Sequence, residues 1–383
     1  MVGAGIVGLA CAWLLQRRGH AVLLLDPNPP RTAIPGADAP AAEESAASRA
    51  ALGILMGHVF HRSSGRGWRL RRRGLHLWDA WRRELTGRGH PIPWRPGLLL
   101  LAADDVDLQR QRRLLATRQR QGLTLESWEP ERLAGLQPDL PFGALGGLYS
   151  AADGQLDPGS AMEALARDAK RWGVERLAEG VKALEPLSRE AHPRGPGSER
   201  ASGGWRAHLG GGGKVEGEWV VLAAGLGSGE LLAPLGHEWP MEPMLGQALE
   251  LELPPEGLAG PGLPSAQAWP GAVVWRGVNL VPRPDLAQGR GFWLGATLET
   301  GRMADSSALR ELRDLGGAAP PWLRGARVLR QWQGLRPRPL QRPAPQLELI
   351  APGLLLASGH YRNGVLLAPA SAEWVLEQIE AEP

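Results

Sequence analysis

Three glycines near the start of the chain have the spacing of a phosphate-binding turn. Gly3, Gly5 and Gly8 follow the pattern G-x-G-x-x-G, and Asp26 comes 18 residues after the last of them. In such a turn the first glycine permits a tight bend, the second lets a diphosphate approach the backbone, and the third permits close helix packing. The helix N-terminus stabilises the anion, and the later acid accepts hydrogen bonds from a ribose. This pattern predicts a dinucleotide site without separating FAD from NAD.

The elements that position this turn are predicted to be a strand, a helix and a second strand. Apolar residues over 9–15 mark the helix, Gly19 closes it, and residues 21–25 form the strand that ends before Asp26. About five apolar residues normally form the strand before such a turn, but only two residues precede Gly3. We expect either a start site assigned too late or a shortened strand that is less stable.

The rest of the chain is long enough for a second lobe. Its 383 residues exceed the usual size of one hydrophobic core. The segment EWVVLAAG, residues 218–225, has the pattern of a buried strand that ends in small residues, which is typical where a ligand approaches a strand end. Alternating runs between residues 244 and 298 predict an antiparallel sheet over the substrate. Residues 27–42 and 188–204 are expected to be loops or long connections.

Composition and charge argue against several classes of protein. The net charge is only +3, and the basic run of residues 66–73 is interleaved with apolar side chains. This run predicts an amphipathic helix with a solvated arginine face, so no nucleic-acid partner is expected. Cys11 is the single cysteine, which excludes an internal disulfide and fits a reducing cytoplasm. The apolar start lacks a basic leader, and no stretch reaches the roughly 20 apolar residues of a membrane span.

Eight segments carry a resemblance to one family. They are VGAGIVGLACAWLL with Asp26, AASRAALGIL at 46–55, DGQLDP at 153–158, VVLAAG at 220–225, LVPR at 280–283, GATLE at 295–299, GLRP at 334–337 and GHYRNGVLLAP at 359–369. With these segments the chain resembles the D-amino acid oxidase superfamily of FAD-dependent amine oxidoreductases, most closely its glycine oxidase branch. The last segment is the most specific. The resemblance implies FAD as the cofactor. We expect it to be held noncovalently, because Cys11 lies on the first helix, out of reach of the flavin ring.

The resemblance also implies the residues of the site. Arg336 in GLRP would hold the substrate carboxylate with its planar fork, a geometry that lysine does not supply, and Arg362 would assist. The amides near Arg362, Asn363 and Gly364 would face the pyrimidine edge of the flavin, where a helix N-terminus stabilises the charge of the reduced form. The other implied cofactor contacts are Ser48 at the diphosphate, the backbone of Val181 at the adenine, Met56 and Gly57 beside the flavin, and Ala224, Gly225 and Gly359.

One block departs from the family. Glycine oxidases commonly have a tyrosine near the LVPR strand that helps to bind carboxylate, whereas Asn279 and Trp275 stand there in this chain. The identity of the substrate therefore stays open.

No metal site is predicted. The candidate histidines lack a helical metal spacing with carboxylates, and amine oxidation by hydride transfer requires only a neutral amine. We expect them to be satisfied or solvent-facing; they are His58, His61 and His360.

The predicted fold class is α/β, with a Rossmann-like FAD-binding domain and a second α+β substrate domain built on an antiparallel sheet. The cofactor domain is expected to be discontinuous, over residues 1–85, 150–232 and 330–383. The substrate domain is expected over residues 86–149 and 233–329.

The predicted activity is oxidation of glycine or another small amino acid to an imine, then to a 2-oxo acid and ammonia, with oxygen or an electron carrier as acceptor. A role in making the thiazole of thiamine follows if the chain is a glycine oxidase. The alternatives are a D-amino acid dehydrogenase, a sarcosine-like secondary-amine oxidase, or a flavin-binding protein without amine chemistry. A homo-oligomer is left open.

Overall fold

The structure is a computed structural model that describes residues 1–28, 45–187, 203–254 and 269–381. The described residues form ten α-helices and nineteen β-strands. The helices are α1 (Ile6–Arg17), α2 (Ala47–Ala50), α3 (Gly65–Gly87), α4 (Asp105–Arg120), α5 (Pro130–Ala134), α6 (Pro158–Arg171), α7 (Gly227–Leu232), α8 (Ala308–Asp314), α9 (Pro321–Gly325) and α10 (Gly364–Ala381). Most of the two predicted loops, 27–42 and 188–204, lies outside the described residues.

The nineteen strands are numbered in chain order and differ in length. They are β1 (Leu23–Leu25), β2 (Ser45–Ala46), β3 (Ile54–Leu55), β4 (Trp94–Ala102), β5 (Glu126–Trp128), β6 (Gly146–Leu156), β7 (Glu175–Leu177), β8 (Val181–Pro186), β9 (Trp205–Leu209), β10 (Lys214–Gly217), β11 (Val220–Leu222), β12 (Met241–Glu252), β13 (Ala272–Trp275), β14 (Val278–Arg283), β15 (Gly291–Gly295), β16 (Glu299–Thr300), β17 (Arg327–Pro339), β18 (Gln346–Ala351) and β19 (Leu354–Ser358).

The first sheet is centred on the start of the chain. β1 pairs in parallel with β7, β11 pairs in parallel with β19, and β18 lies antiparallel to β19. Val2 joins the two halves through parallel bridges to Leu25 on one side and Leu222 on the other. Along the described residues, the central strand before Gly3 is therefore a single bridging residue.

Four helices share one apolar core beside this sheet. α1, α3, α6 and α10 contribute most of its buried side chains. Trp81 packs edge-on against Trp13 and Trp78, with ring centroids 4.6 Å and 6.0 Å away. The indole N–H of Trp13 donates to the buried carboxylate of Asp168 at 2.8 Å, so its polar edge is also satisfied. Each large apolar side chain buried in this core contributes on the order of 1.5–3 kcal/mol to the stability of the fold. The core therefore supports the turn that precedes α1.

The larger sheet is mixed and mainly antiparallel. Its strand order is β2-β17-β12-β15-β14-β13-β4-β6-β3, with β5 and β16 paired at its margins. β12 and β17 run antiparallel along almost their whole lengths, and β15, β14 and β13 continue the antiparallel pairing. The antiparallel sheet predicted between residues 244 and 298 is confirmed, as is the mixed α/β fold class. A separate three-stranded sheet contains β8, β9 and β10.

The larger sheet draws on both sides of the predicted domain boundaries. β6 (Gly146–Leu156) crosses the boundary at residue 150, and β17 (Arg327–Pro339) crosses that at residue 330. The division into cofactor and substrate domains at those residues stays a prediction. Among the described helices, none is both long enough and apolar enough to cross a lipid bilayer.

Candidate functional site

A cavity of about 1750 Å³ collects residues from distant parts of the chain. Ligand pockets commonly measure about 300–1,000 Å³, so this one has room for a dinucleotide and a small substrate together. All the predicted catalytic and cofactor-binding residues line it except Gly8 and Gly57. Those that line it are Gly3, Gly5, Asp26, Ser48, Met56, Val181, Ala224, Gly225, Arg336, Gly359, Arg362, Asn363 and Gly364.

The glycine turn is packed too closely for side chains at two of its three positions. A Cβ on Gly8 would lie 1.9 Å from the carbonyl oxygen of Gly3. Gly3 itself has φ of +101°, and a Cβ there would lie 2.6 Å from the carbonyl oxygen of Ala223. Gly8 thus packs α1 against the turn rather than facing the cavity. These contacts give a physical reason for glycine at both positions.

The remaining glycine, Gly5, lies at the N-terminus of α1. A Cβ on Gly5 would lie 3.1 Å from the hydroxyl oxygen of Ser48, and that oxygen accepts a hydrogen bond from the Ile6 amide at 3.1 Å. Gly5 and the Ser48 hydroxyl therefore lie next to each other at the N-terminus of α1, where both residues line the cavity. Such a bare cradle at a helix N-terminus fits a diphosphate, as FAD carries.

Asp26 is fixed at the edge of this cradle. Its carboxylate accepts hydrogen bonds from the Ala4 amide at 2.6 Å and from the Asn28 amide at 2.8 Å. These contacts tie the end of β1 to the glycine turn. Each carboxylate oxygen has more than one acceptor position, so the group can also receive a ribose hydroxyl.

The turn before α10 forms the opposite side of the cavity. Gly359 and Tyr361 both have left-handed backbones, with φ of +64° and +54°. The Tyr361 amide donates to the Pro337 carbonyl at 3.2 Å, which ties this turn to β17. Leu367 is the first residue of α10 whose amide bonds to the turn, at 2.9 Å to the Asn363 carbonyl. In the described chain, no acceptor meets the three preceding amides, those of residues 364–366.

Arg336 projects from β17 and is held by backbone carbonyls. Its Nη1 donates to the carbonyls of Leu245 at 3.1 Å and Thr297 at 3.2 Å. The guanidinium lies over Gly246, where an added Cβ would approach its nitrogens to 2.0 Å. Burial is the main cause, and repulsion from Arg362 the second, of a lowered pKa of about 10 for Arg336. The side chain therefore stays charged at neutral pH. Within the described ranges, no carboxylate forms an ion pair with it.

Arg362 lies nearby but is exposed. Its Nη2 donates to the carbonyl of Gly277, in the tight turn between β13 and β14, at 3.2 Å. Asn279 of β14 also lines the cavity and donates to the Gly295 carbonyl at 3.0 Å. Trp275 does not line it and instead packs in the core of the larger sheet. Of the two residues near the LVPR strand, only the asparagine is in place to meet a ligand.

The other residues singled out from the sequence divide between the cavity and its surroundings. Met56, His61 and His360 line the cavity, whereas Gly57, His58 and Cys11 do not. Burial raises the pKa of Cys11 to about 12, so it stays a thiol in the core. His360 is buried and shares a 2.8 Å hydrogen bond with the Ser371 hydroxyl.

Sequence reasoning missed the pair of residues that builds the wall segment 57–62. Asp153, fully buried, accepts hydrogen bonds from the amides of Gly57, His58 and Val59 at 2.9–3.0 Å. Arg118, also fully buried, donates to the carbonyls of residues 58, 60 and 62 at 2.6–2.9 Å. Burial raises the pKa of Asp153 and lowers that of His58. The DGQLDP block contained Asp153, but no sequence signal marked Arg118 on its polar helix.

The arginine run of α3 needs a correction. The amphipathic helix is present over Gly65–Gly87, but its arginine face is not wholly solvated. Arg71 is 6% exposed and lies in the cavity wall. It turns inward because the Met56 carbonyl and the Asn363 side chain accept its hydrogen bonds.

Comparison with known proteins establishes the class. A family model described as FAD dependent oxidoreductase matches residues 1–378. The chain belongs to this family, which confirms the resemblance seen in its segments. The cradle that side chains would fill, described above, is consistent with FAD as its cofactor.

Individual relatives narrow the comparison. Glycine oxidase of Pseudomonas putida is 32% identical over 219 residues, covering 55% of this chain and 55% of that protein. The bifunctional protein ThiO/ThiG of Nostoc sp. is 26% identical over 390 residues, covering 99% of this chain and 52% of that protein. The chain spans about half the length of these curated relatives. The crystal structure of glycine oxidase from Geobacillus kaustophilus shares the fold, with a TM-score of 0.79 at 23% identity, covering 100% of this chain and 94% of that one.

Proposed function

We propose that the chain oxidises glycine or another small amino acid to an imine, which hydrolyses to the 2-oxo acid and ammonia. The observation that carries this proposal is Arg336, a charged guanidinium in the wall of the same cavity as the glycine turn. Among the described residues it has no carboxylate partner. A substrate carboxylate would supply that partner through paired, charge-assisted hydrogen bonds. The glycine oxidases among the similar proteins support a small amino acid as substrate.

Arg336 would act by orienting the substrate. Two backbone carbonyls fix one nitrogen of the guanidinium, and Gly246 leaves its face uncovered. The plane of the fork is therefore set before a ligand arrives, which reduces the entropy lost on binding. Bound FAD would supply the hydride acceptor for the Cα–H bond.

Arg362 and Asn279 would complete the carboxylate end. Arg362 adds a second positive charge beside Arg336, which favours an anionic substrate over a neutral amine. Asn279 stands near the strand where glycine oxidases commonly have a tyrosine. With an amide there, the carboxylate depends more heavily on Arg336.

The rival activities share the cofactor and differ in the amine. They are D-amino acid dehydrogenation and oxidation of a secondary amine such as sarcosine. Anaerobic mixing of the purified yellow protein with glycine, sarcosine or D-alanine would separate them through bleaching of the flavin absorbance. Bleaching by glycine supports the proposal, and bleaching by only one of the others selects that rival. Without bleaching by any of the three, a flavin-binding protein without amine chemistry would be favoured.

The electron acceptor needs a second measurement. Reoxidation of the bleached protein by air within the turnover time would indicate an oxidase. Slow reoxidation by air together with rapid reoxidation by a quinone or dye would indicate a dehydrogenase.

The most specific part of the proposal is that the imine product is used in thiamine synthesis. It is supported by the resemblance to glycine oxidase and by the likeness to the ThiO/ThiG protein along almost the whole chain. If the imine feeds thiazole formation, a strain without this protein should need added thiazole for growth. Growth without it would contradict this assignment while leaving the amine oxidation unaffected.

A further inference from the structure

Arg71 is a buried cation that the proposed reaction does not use. Its guanidinium is stacked on the ring of Phe60, 3.5 Å from the centroid, and donates to the Met56 carbonyl at 2.8 Å. Burial lowers its pKa to about 10, with the attraction of Asp153 as the largest opposing effect. Across the described ranges, no carboxylate lies within ion-pair distance of it. Burying such a charge is costly unless it is compensated.

The second hydrogen bond of Arg71 connects it to α10. Its Nη2 donates to Asn363 Oδ1 at 2.9 Å. Asn363 directly precedes α10, where an asparagine side chain usually caps the first helical amides. Here Arg71 occupies that oxygen, and the amides of residues 364–366 are left without an acceptor in the described structure. Gly364 and Val365 line the cavity, so this uncapped helix end is open to a ligand.

We propose that Arg71 is a positioning residue that tunes the bound FAD. Through Asn363 it keeps the first amides of α10 uncapped, and it places a fixed positive charge next to the residue that precedes them. Both effects stabilise negative charge at the helix end. This inference rests on the proposed function and on the family resemblance, which implies that the pyrimidine edge of the flavin faces these amides. Because the reduced flavin carries the greater negative charge there, Arg71 raises the midpoint potential of the cofactor.

The test is the midpoint potential of FAD in the purified holoprotein, measured against a reference dye. Arg71→Gln removes the charge and should lower the equilibrium constant for two-electron reduction about tenfold, which is about 30 mV. Arg71→Lys keeps the charge and should change that constant less than threefold. Arg69→Gln is the matched control, because Arg69 is an exposed residue of the same helix, and it should leave the potential unchanged.

A second variant keeps the inference testable if Arg71→Gln does not fold. Asn363→Asp places a carboxylate against Arg71 and neutralises its charge, so the potential should again fall. An unchanged or higher potential in folded Arg71→Gln or folded Asn363→Asp would overturn the inference. Failure of the proposed function is a distinct result, because the wild-type protein would then lack FAD or would not be bleached by any amino acid.

Discussion

At one end of the cavity most of the groups that would meet a ligand belong to the backbone, and at the other end they belong to arginine side chains. The proposed cofactor end consists of the glycine turn, the N-terminus of α1 and one side-chain group, the Ser48 hydroxyl. The proposed substrate end consists of Arg336, anchored on two carbonyls, and the exposed Arg362. The first end depends on the path of the chain, and the second on which side chain stands at each position.

This difference explains why the cofactor follows from the family while the substrate does not. A backbone cradle allows few substitutions, because an added Cβ collides with neighbouring main chain. A side-chain site can change its preference by single replacements on an unchanged fold. Asn279 is a candidate for such a position, because it lines the cavity and stands near the LVPR strand, where the family resemblance implies a tyrosine.

The largest effect should come from filling the backbone end. Gly8→Ala places a methyl group 1.9 Å from the Gly3 carbonyl oxygen, and the turn cannot accommodate it without moving. We expect a loss of about 3 kcal/mol or more, equivalent to a more than hundredfold weaker FAD affinity. FAD titration of the apoprotein measures this. Gly87→Ala is the control, because a Cβ there meets no described atom within 4 Å. Normal FAD content in Gly8→Ala would show that the glycine turn accepts a side chain without losing the cofactor.

The next effect concerns the substrate end alone. Arg336→Ala removes the proposed carboxylate anchor and should raise KM about a hundredfold, since hydrogen bonds to charged groups contribute roughly 1.5–3 kcal/mol. FAD should stay bound, because Arg336 does not form the glycine cradle. Arg338→Ala on the same strand is the control, as that exposed residue pairs with Glu242 at 3.2 Å. Steady-state kinetics with an unchanged KM would point to another anchor.

The wall segment tests whether the cavity needs support away from both ends. Asp153→Asn leaves one oxygen and puts an amide donor among three backbone N–H groups. We expect a loss of about 2 kcal/mol in the free energy of unfolding, because a buried donor is left unsatisfied. Urea denaturation measures this. The exposed Asp105→Asn should change stability by less than about 0.5 kcal/mol, and equal effects of the two would show that the wall segment is not held by Asp153.

The sequence predicted the features that local residue spacing determines and missed those that depend on contacts between distant residues. The turn, its helix and the antiparallel sheet were predictable, because local spacing and alternation determine them. Arg71 and Arg118 were not, since each lies among exposed arginines on its helix and is buried by contacts with residues distant in sequence. The roles assigned to Arg336 and Arg362 came from the family resemblance and stay predictions, although both residues line the cavity.

The turn between the two ends should respond to pH through His360. Burial lowers the pKa of this histidine to about 4, from 6.5 for an unperturbed side chain. Below pH 6.5 the unfolded chain takes up a proton that the folded chain refuses, so stability falls from pH 6.5 to about pH 4. At pH 5 the loss is about 2 kcal/mol. His360→Gln should lack this component, and identical pH dependence of unfolding in both proteins would show that His360 does not contribute it.

The smallest effect separates the two arginines of the substrate end. Arg362 is exposed and, among the described residues, donates only to the Gly277 carbonyl, at 3.2 Å, whereas Arg336 is half-buried and doubly anchored. Solvent screens the exposed charge, so Arg362→Ala should raise KM only about threefold, corresponding to roughly 0.2–1 kcal/mol for an exposed ion pair. The increase should shrink further in high salt, because mobile ions screen an exposed charge more than a buried one. An effect as large as that of Arg336→Ala, and insensitive to salt, would mean that substrate binding buries Arg362 and that both arginines hold the carboxylate.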